Sequence, residues 1–198
     1  MAFTFFFRDI TILDLIATRV IPDLSGFSKI RIWDGGCAMG PEPYSLAIRL
    51  AESMGQYAYR KVHIDATDIE ETFGKIVTDG VYPEDQVKRI PAEIFSKYFV
   101  QDNLAGHYRV ADPIRQSVHF QQHNLLSLKP IGEGYHLILC KNVLLHFQPN
   151  ERAEVIKMFH AVLAPGGYFG TEKTQEMPEE MAPHFTQLSP EAHLFRKN

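Results

Sequence analysis

The sequence predicts a doubly wound α/β sheet, parallel in its middle, with a small β-rich subdomain inserted. Three observations predict it. Short apolar runs that read as buried strands alternate with segments of helical periodicity. Glycine turns join them, above all in WDGGCAMGPEPYS, from Trp33 to Ser45. One interval, between Tyr98 and Phe120, breaks the alternation with two strand-like pieces, YRV and SVHF, around a turn at Ala111-Asp112-Pro113.

The elements follow in order. IRIW, Ile30–Trp33, is a short buried strand. A helix over Pro43–Met54 comes next: Leu46, Ala47, Leu50, Ala51 and Met54 share one face, Pro43 suits its start and Gly55 follows its end. Val62–Thr67 is the second strand, and Ile69–Thr78 a helix closed by Asp79-Gly80. The inserted subdomain occupies about 97–120. HLILC, His136–Cys140, is an apolar strand, and Asn150 is suited to cap a helix whose apolar face is Val155, Ile156, Phe159, Val162 and Leu163. Pro165-Gly166-Gly167 then turns the chain into a strand at Tyr168–Thr171. Repeats and low-complexity tracts are absent.

Composition excludes several classes. A chain of 198 residues with 45% hydrophobic and 22% charged residues fits a single globular domain over 1–198, with 1–28 as leading segment and first helix. The net charge is −4 and the cations are scattered, so no nucleic-acid partner is expected. No apolar run is long enough to cross a bilayer, and MAFTFFFRDI lacks the parts of a signal peptide. Two cysteines, Cys37 and Cys140, make no disulfide framework; they read as small apolar fillers in a reducing, cytoplasmic protein.

Doubly wound sheets bind ligands at the carboxyl ends of their strands, where strand order reverses. The turn Asp34-Gly35-Gly36-Cys37-Ala38-Met39-Gly40 belongs there. A glycine costs backbone entropy, and small residues such as Gly36 and Ala38 let the main chain pass beneath a flat ligand. The spacing is not G-x-G-x-x-G and no G-K-[ST] follows, so neither common phosphate motif is present. Asp68 ends the next strand, where a carboxylate can accept hydrogen bonds from ribose hydroxyls. A ribose without a phosphate at the glycine turn points to S-adenosylmethionine. A tight turn with no ligand is the alternative.

Five ordered motifs carry a resemblance. WDGGCAMGPEPYSLA resembles the first motif of the CheR chemoreceptor methyltransferases, usually W-S-A-A-C-S-T-G-E-E-P-Y-S. TFFFRD (Thr4–Asp9), ATDIE (Ala66–Glu70), NLL (Asn124–Leu126) and CKNVLLHF (Cys140–Phe147) resemble that family's N-T-x-F-F-R-[DE], A-T-D-I-[DN], N-L-L and C-R-N-V-x-I-Y-F, and the likeness runs through residues 3 to 172. It implies a Rossmann-like class I methyltransferase fold and a role in chemotaxis signal transduction: methyl transfer from S-adenosylmethionine to glutamate side chains of a chemoreceptor-like protein. The products are methyl esters and S-adenosylhomocysteine, with no metal and no membrane insertion. Carried over by position, it implies that Thr4 and Arg8 lie over the cofactor, Arg8 also near the acceptor. Glu42 lies by the cofactor's cationic methionine part and Asp68 on its ribose. Asn124 and Leu125 flank adenine, and Asn142 and Val143 sit near the sulfonium and the methyl group.

The chemistry suits these residue types. A glutamate acceptor, with an ordinary pKa of about 4.3, is already ionised near neutral pH and needs no general base. It needs alignment, and a cation to hold it without quenching it. A guanidinium such as Arg8 offers a bidentate grip; a salt bridge to Asp9 is its structural alternative.

Several positions depart from the family pattern. Ala2 stands for Asn, Pro41 for Glu, Lys141 for Arg, and His146 for the Tyr that borders the acceptor pocket. The resemblance begins almost at the segment over the cofactor, so the family's N-terminal helical docking domain is expected to be absent and a partner to supply it; another carboxylate or small-molecule acceptor, and a cofactor-binding sensor without turnover, are the alternatives. His119 and His123 have metal-like spacing but lie in a strand-like segment and read as structural. The EEM run after Pro178 reads as solvated. Phe3, Phe5, Phe6 and Phe7 form either a lid over the cofactor or a core anchor for the first helix.

Overall fold

The computed structural model describes residues 4–174 and 176–198 of the chain; Ala2 and Phe3 lie outside the described residues. Ten strands are present among them: β1 (Ile30–Gly35), β2 (Val62–Asp68), β3 (Val81–Pro83), β4 (Phe99–Gln101), β5 (His107–Val110), β6 (Val118–Gln122), β7 (Tyr135–Cys140), β8 (Leu163–Thr171), β9 (Phe185–Gln187) and β10 (His193–Lys197). Seven form one sheet in the order β6-β2-β1-β7-β8-β10-β9, and three form a small sheet in the order β3-β5-β4. The run β6-β2-β1-β7-β8 is parallel throughout, while β10 is antiparallel to both β8 and β9. A mixed α/β sheet with a small antiparallel annex is what the alternation of the sequence leads one to expect.

Strand order reverses between β1 and β7. From β1 the chain moves outward through β2 to β6, then returns to β7 on the other side of β1 and continues to β8. The loops after β1 and β7 therefore flank a crevice at the carboxyl edge. Helices cover both faces. Pro41–Met54 buries Tyr44, Leu46, Ala47, Ile48, Leu50 and Ala51 on one side, and Pro149–Val162 buries Val155, Ile156 and Phe159 on the other. Burial of a large apolar side chain is worth about 1.5–3 kcal/mol, so these faces carry much of the stability.

Several local expectations change. SVHF does not belong to the annex: β6 pairs in parallel with β2, Ile64 opposite Val118 and Asp68 opposite Gln122. The annex instead recruits Val81–Pro83, and Asp112–Arg115 is a short helix rather than a bare turn. The helix expected from Ile69 begins at Phe73, because the Asp68 carboxylate accepts the Glu70 N–H and the Glu70 carboxylate accepts the Thr72 N–H, closing a turn first. Asn150 is not the cap of the last long helix. Gln148 is, with Pro149 at the first helical position and the Glu151 carboxylate accepting the Gln148 N–H at 2.9 Å. Pro165-Gly166-Gly167 is an irregularity within β8, which begins at Leu163. The hairpin of β9 and β10 has no counterpart in the sequence reading.

Candidate active site

The cleft is built from strand ends. The turn after β1 is pinned by the strand beside it: the N–H groups of Gly36 and Cys37 both donate to the Thr67 carbonyl, and the Ala38 N–H donates to Asp68 Oδ2 at 2.9 Å. Asp68 thus organises the turn with one oxygen and the Glu70 backbone with the other, and each oxygen keeps a further lone pair for a ligand hydroxyl.

The glycines have neighbours of their own. Gly36 has φ +94°, and a Cβ there would lie 2.1 Å from a methyl of Val143, in the loop after β7. Gly40 has φ +101°, and a Cβ there would lie 2.5 Å from the hydroxyl of Tyr82, which donates to the Met39 carbonyl. Close approach at these two positions is made by the protein's own side chains.

The loop after β7 carries Lys141, Asn142 and Val143. Asn142 has a left-handed backbone, φ 59°, held by its N–H donating to Glu172 Oε2 at 2.9 Å. Glu172 follows β8 directly, is 4% exposed, and also accepts from the Thr171 hydroxyl. Ala38, Phe7 and Asp9 share the left-handed conformation. Non-glycine residues rarely adopt it, and its concentration around one cleft means that the surrounding packing imposes it.

Residues 4–9 cross the top of the Pro41–Met54 helix. The Phe7 N–H donates to the Ser45 hydroxyl, and Phe6 is buried edge-on against Tyr82 and Phe99, with centroids 5.0 and 5.3 Å away. Phe6 is therefore a core anchor, whereas Phe5 is exposed, with the Arg8 guanidinium over its ring. This crossing brings Thr4 and Arg8 to the cleft.

A single cleft of about 530 Å³ collects the side chains. Thr4, Arg8, Gly36, Ala38, Glu42 and Asp68 line it, and so do Asn124, Leu125, Asn142, Val143 and His146. Every site residue expected from the sequence thus meets at one place. Asn124 also shapes its own loop, its side-chain oxygen accepting the Leu126 N–H at 3.0 Å. His146 is exposed on the short helical turn Leu144–His146. A second cavity, about 460 Å³ and lined by Tyr59, Tyr98 and Lys97 among others, lies elsewhere and includes none of these residues.

Charge in the cleft centres on Lys141. Its ammonium lies 2.8 Å from Asp9 Oδ2 and 3.1 Å from Glu42 Oε2. Burial works to lower its pKa, but the two carboxylates outweigh burial and the net direction is up. Burial raises the Glu42 carboxyl, against the opposing pull of Lys141. Asp34, beneath the turn, is fully buried and pushed well above the usual aspartate range by burial and by Glu42. Cys37 and Cys140 are free and buried, and burial pushes both thiols up. Among the described residues no group of three or more His, Cys, Asp or Glu could hold a metal, and no helix is long and apolar enough to cross a membrane. His119 stacks on His63 at 4.2 Å, and His123 packs edge-on against Trp33.

These residues suit S-adenosylmethionine. Asp68 has spare acceptor capacity at the end of β2, and the Glu42 carboxylate in the cleft suits a cationic amine. From the sequence Lys141 stands only as a departure from the family pattern, and Glu172 is not named; Lys141 lines the cleft and Glu172 braces the loop beside it. The only local signal for Glu172 is a carboxylate directly following a buried strand.

The model of the CheR methyltransferase, SAM binding domain, matches residues 2–192. A chemotaxis protein methyltransferase of Borreliella burgdorferi is 33% identical over 175 residues, covering 83% of this chain and 61% of that protein. Chemotaxis protein methyltransferase 2 of Vibrio cholerae is 32% identical over 169 residues, covering 83% of this chain and 58% of that protein. The chain thus spans about three fifths of the length of these curated relatives. In fold it resembles the crystal structure of DszA carbon methyltransferase, with TM-score 0.50 at 14% identity over 86% of this chain and 35% of that one.

Proposed function

The chain belongs to the CheR methyltransferase family, through its SAM-binding domain, and on that premise we propose that it methylates a protein carboxylate. The acceptor is a glutamate side chain of a chemoreceptor-like protein, in a cytoplasmic setting, and the products are a methyl ester and S-adenosylhomocysteine. The observation that carries this reading is the convergence of Arg8, Glu42, Asp68 and Asn142, from four separate segments, on one cleft.

S-adenosylmethionine supplies a methyl group on an activated sulfonium. Asp68 binds the ribose hydroxyls through the lone pairs left over from its backbone bonds. Glu42 balances the charge of the methionyl amine, with Lys141 fixing the Glu42 carboxylate. Asn124 and Leu125 bound the adenine side, and Asn142 and Val143 the reacting side. Thr4 and Arg8 close over the cofactor, and the Arg8 guanidinium orients the acceptor carboxylate through two parallel hydrogen bonds. No residue is required to take a proton, because the acceptor is ionised at neutral pH. Charge is lost as carboxylate and sulfonium react, so a site closed to water favours the step. His146 borders the acceptor entrance and bears on which protein is accepted.

The test uses methyl-labelled cofactor, receptor fragments and base-labile release of the label, alongside calorimetry with S-adenosylhomocysteine. Wild type should form methyl esters. Arg8→Lys, which keeps charge but loses the planar fork, should lower turnover about tenfold or more, equivalent to at least about 1.4 kcal/mol of barrier, with little change in cofactor affinity. His146→Tyr should preserve or raise turnover. Tight cofactor binding without esterification of any carboxylate would overturn the enzyme reading. Parallel loss of binding and turnover in Arg8→Lys would remove Arg8 from the acceptor side.

A further inference from the structure

Three consecutive residues of the loop after β7 are each held by a different element. The Lys141 ammonium reaches Asp9 and Glu42, the Asn142 N–H donates to Glu172 Oε2 at 2.9 Å, and a methyl of Val143 lies against Gly36. Between the outer two stands Asn142, left-handed at φ 59°. That angle fixes how the flanking peptides are turned relative to each other. A return to negative φ would swing Lys141 or Val143 off its partner and take the Asn142 N–H from Glu172. Non-glycine residues hold this conformation only where their surroundings over-determine it, and such outliers gather at reacting sites.

Glu172 supports the loop from the end of β8, at 4% exposure. Its Oε2 accepts from the Asn142 N–H and from the Thr171 hydroxyl, both at 2.9 Å. Its Oε1 is buried with no donor, and no cation pairs with the carboxylate among the described residues. A buried oxygen without a donor costs stability, so this placement favours the loop at the expense of the carboxylate's own hydration. Asn142 itself lines the cleft, and its side-chain amide makes no hydrogen bond to any described residue. The backbone of Asn142 is therefore engaged by the protein, while its side chain is left for a ligand.

We propose that Glu172 is a positioning residue for methyl transfer: by holding the Asn142 N–H it fixes the left-handed turn that sets Asn142 and Val143 on the reacting side of the cleft. The effect falls on the transfer step more than on cofactor binding, because the contacts assigned to amine and ribose, at Glu42 and Asp68, come from other elements. In-line displacement depends on alignment, and a misplacement of about 1 Å can cost about a hundredfold in rate. That the reaction is methyl transfer rests on the function proposed above; the hold of Glu172 on Asn142 does not.

Three measurements on Glu172→Ala and Glu172→Gln test it. Ester formation with methyl-labelled cofactor should fall by about ten- to a hundredfold in kcat in Glu172→Ala. Its affinity for S-adenosylhomocysteine, by calorimetry, should change by less than about threefold. Glu172→Gln keeps an acceptor for the Asn142 N–H and should keep turnover within about threefold of wild type. Amide hydrogen exchange, read by NMR, should find the Asn142 N–H protected in wild type and in Glu172→Gln, and fast in Glu172→Ala. If Glu172→Ala does not fold, Glu172→Met, of similar length and without a carboxylate, replaces it. Wild-type turnover in Glu172→Ala overturns the positioning role, as does equal loss of affinity and turnover, the mark of a merely structural brace. Glu172→Gln as impaired as Glu172→Ala, with its Asn142 N–H still protected, overturns it too, since charge rather than the hold would then be at work. Unchanged protection in Glu172→Ala overturns the hold itself. A wild type that forms no ester overturns the enzyme reading instead, while exchange at Asn142 still decides on Glu172.

Discussion

The Lys141 ammonium lies 3.1 Å from Glu42 Oε2, with its own side chain only 2% exposed. Its second partner is Asp9, 2.8 Å away, so one cation joins the N-terminal crossing, the first residues of a helix and the loop after β7. Breaking a buried ion pair from one side strands the other charge, which costs about 3–5 kcal/mol. Lys141→Met should therefore destabilise the protein by that order in urea unfolding, and Lys141→Arg should recover most of it. Equal stability of Lys141→Met and wild type would mean that the contact contributes nothing.

Gly36 carries two independent constraints, its left-handed φ and its contact with Val143. Gly36→Ala should cost about 1–2 kcal/mol for the backbone and about 1–3 kcal/mol for overpacking. Adding Val143→Ala should relieve the second cost and leave the first. Thermal melts of both variants check this, and a double variant as stable as wild type would remove the backbone constraint.

Asp68 anchors the Ala38 and Glu70 N–H groups whether or not a ligand is bound. Asp68→Ala should weaken S-adenosylhomocysteine binding by at least about 1.5–3 kcal/mol, the range for hydrogen bonds to a charged group. It should also lower the melting temperature of the ligand-free protein. Wild-type affinity in calorimetry would sink the ribose assignment, and an unchanged melting temperature would sink the anchoring role.

The acid limb of the stability profile should carry the signature of Asp34. Burial raises its pKa in the folded state, so the folded protein holds this proton more tightly than the unfolded chain does. The associated stability is full below the ordinary aspartate value of 3.8 and is lost as pH rises toward the raised value. Glu42, also raised, acts in the same direction above 4.5. Glu52, lowered chiefly by its hydrogen bonds to Lys97 and Tyr98, acts oppositely. The difference between wild type and Asp34→Asn isolates the effect: melting temperature of the ligand-free wild type should decline relative to the variant as pH rises from mildly acidic to neutral. Parallel profiles would contradict it.

Much of the site was legible in the chain itself. Strand ends, glycine turns and a carboxylate at the end of a strand are local signals, and in a doubly wound sheet they fall on one edge. Motif order then carried Arg8, Asn124 and Asn142 to the same place, and all of them line the cleft. The close neighbours of Gly36 and Gly40 are Val143 and Tyr82, contacts between distant segments that no local signal marks.

By itself the sequence determined the alternation of buried strands and amphipathic helices, the turn after β1 and the position of Asp68, because periodicity and turn chemistry act over a few residues. Tertiary structure alone decided that SVHF joins β2 at the edge of the main sheet, that Val81–Pro83 completes the annex, and that Glu172 holds the Asn142 N–H. These are pairings between distant segments, set by which edge or donor is left open once the sheet forms. The full burial of Asp34, and the engagement of Lys141 by Glu42 and Asp9, belong to the same class. An aspartate has its ordinary acidity in the unfolded chain, and only the packed sheet removes its water.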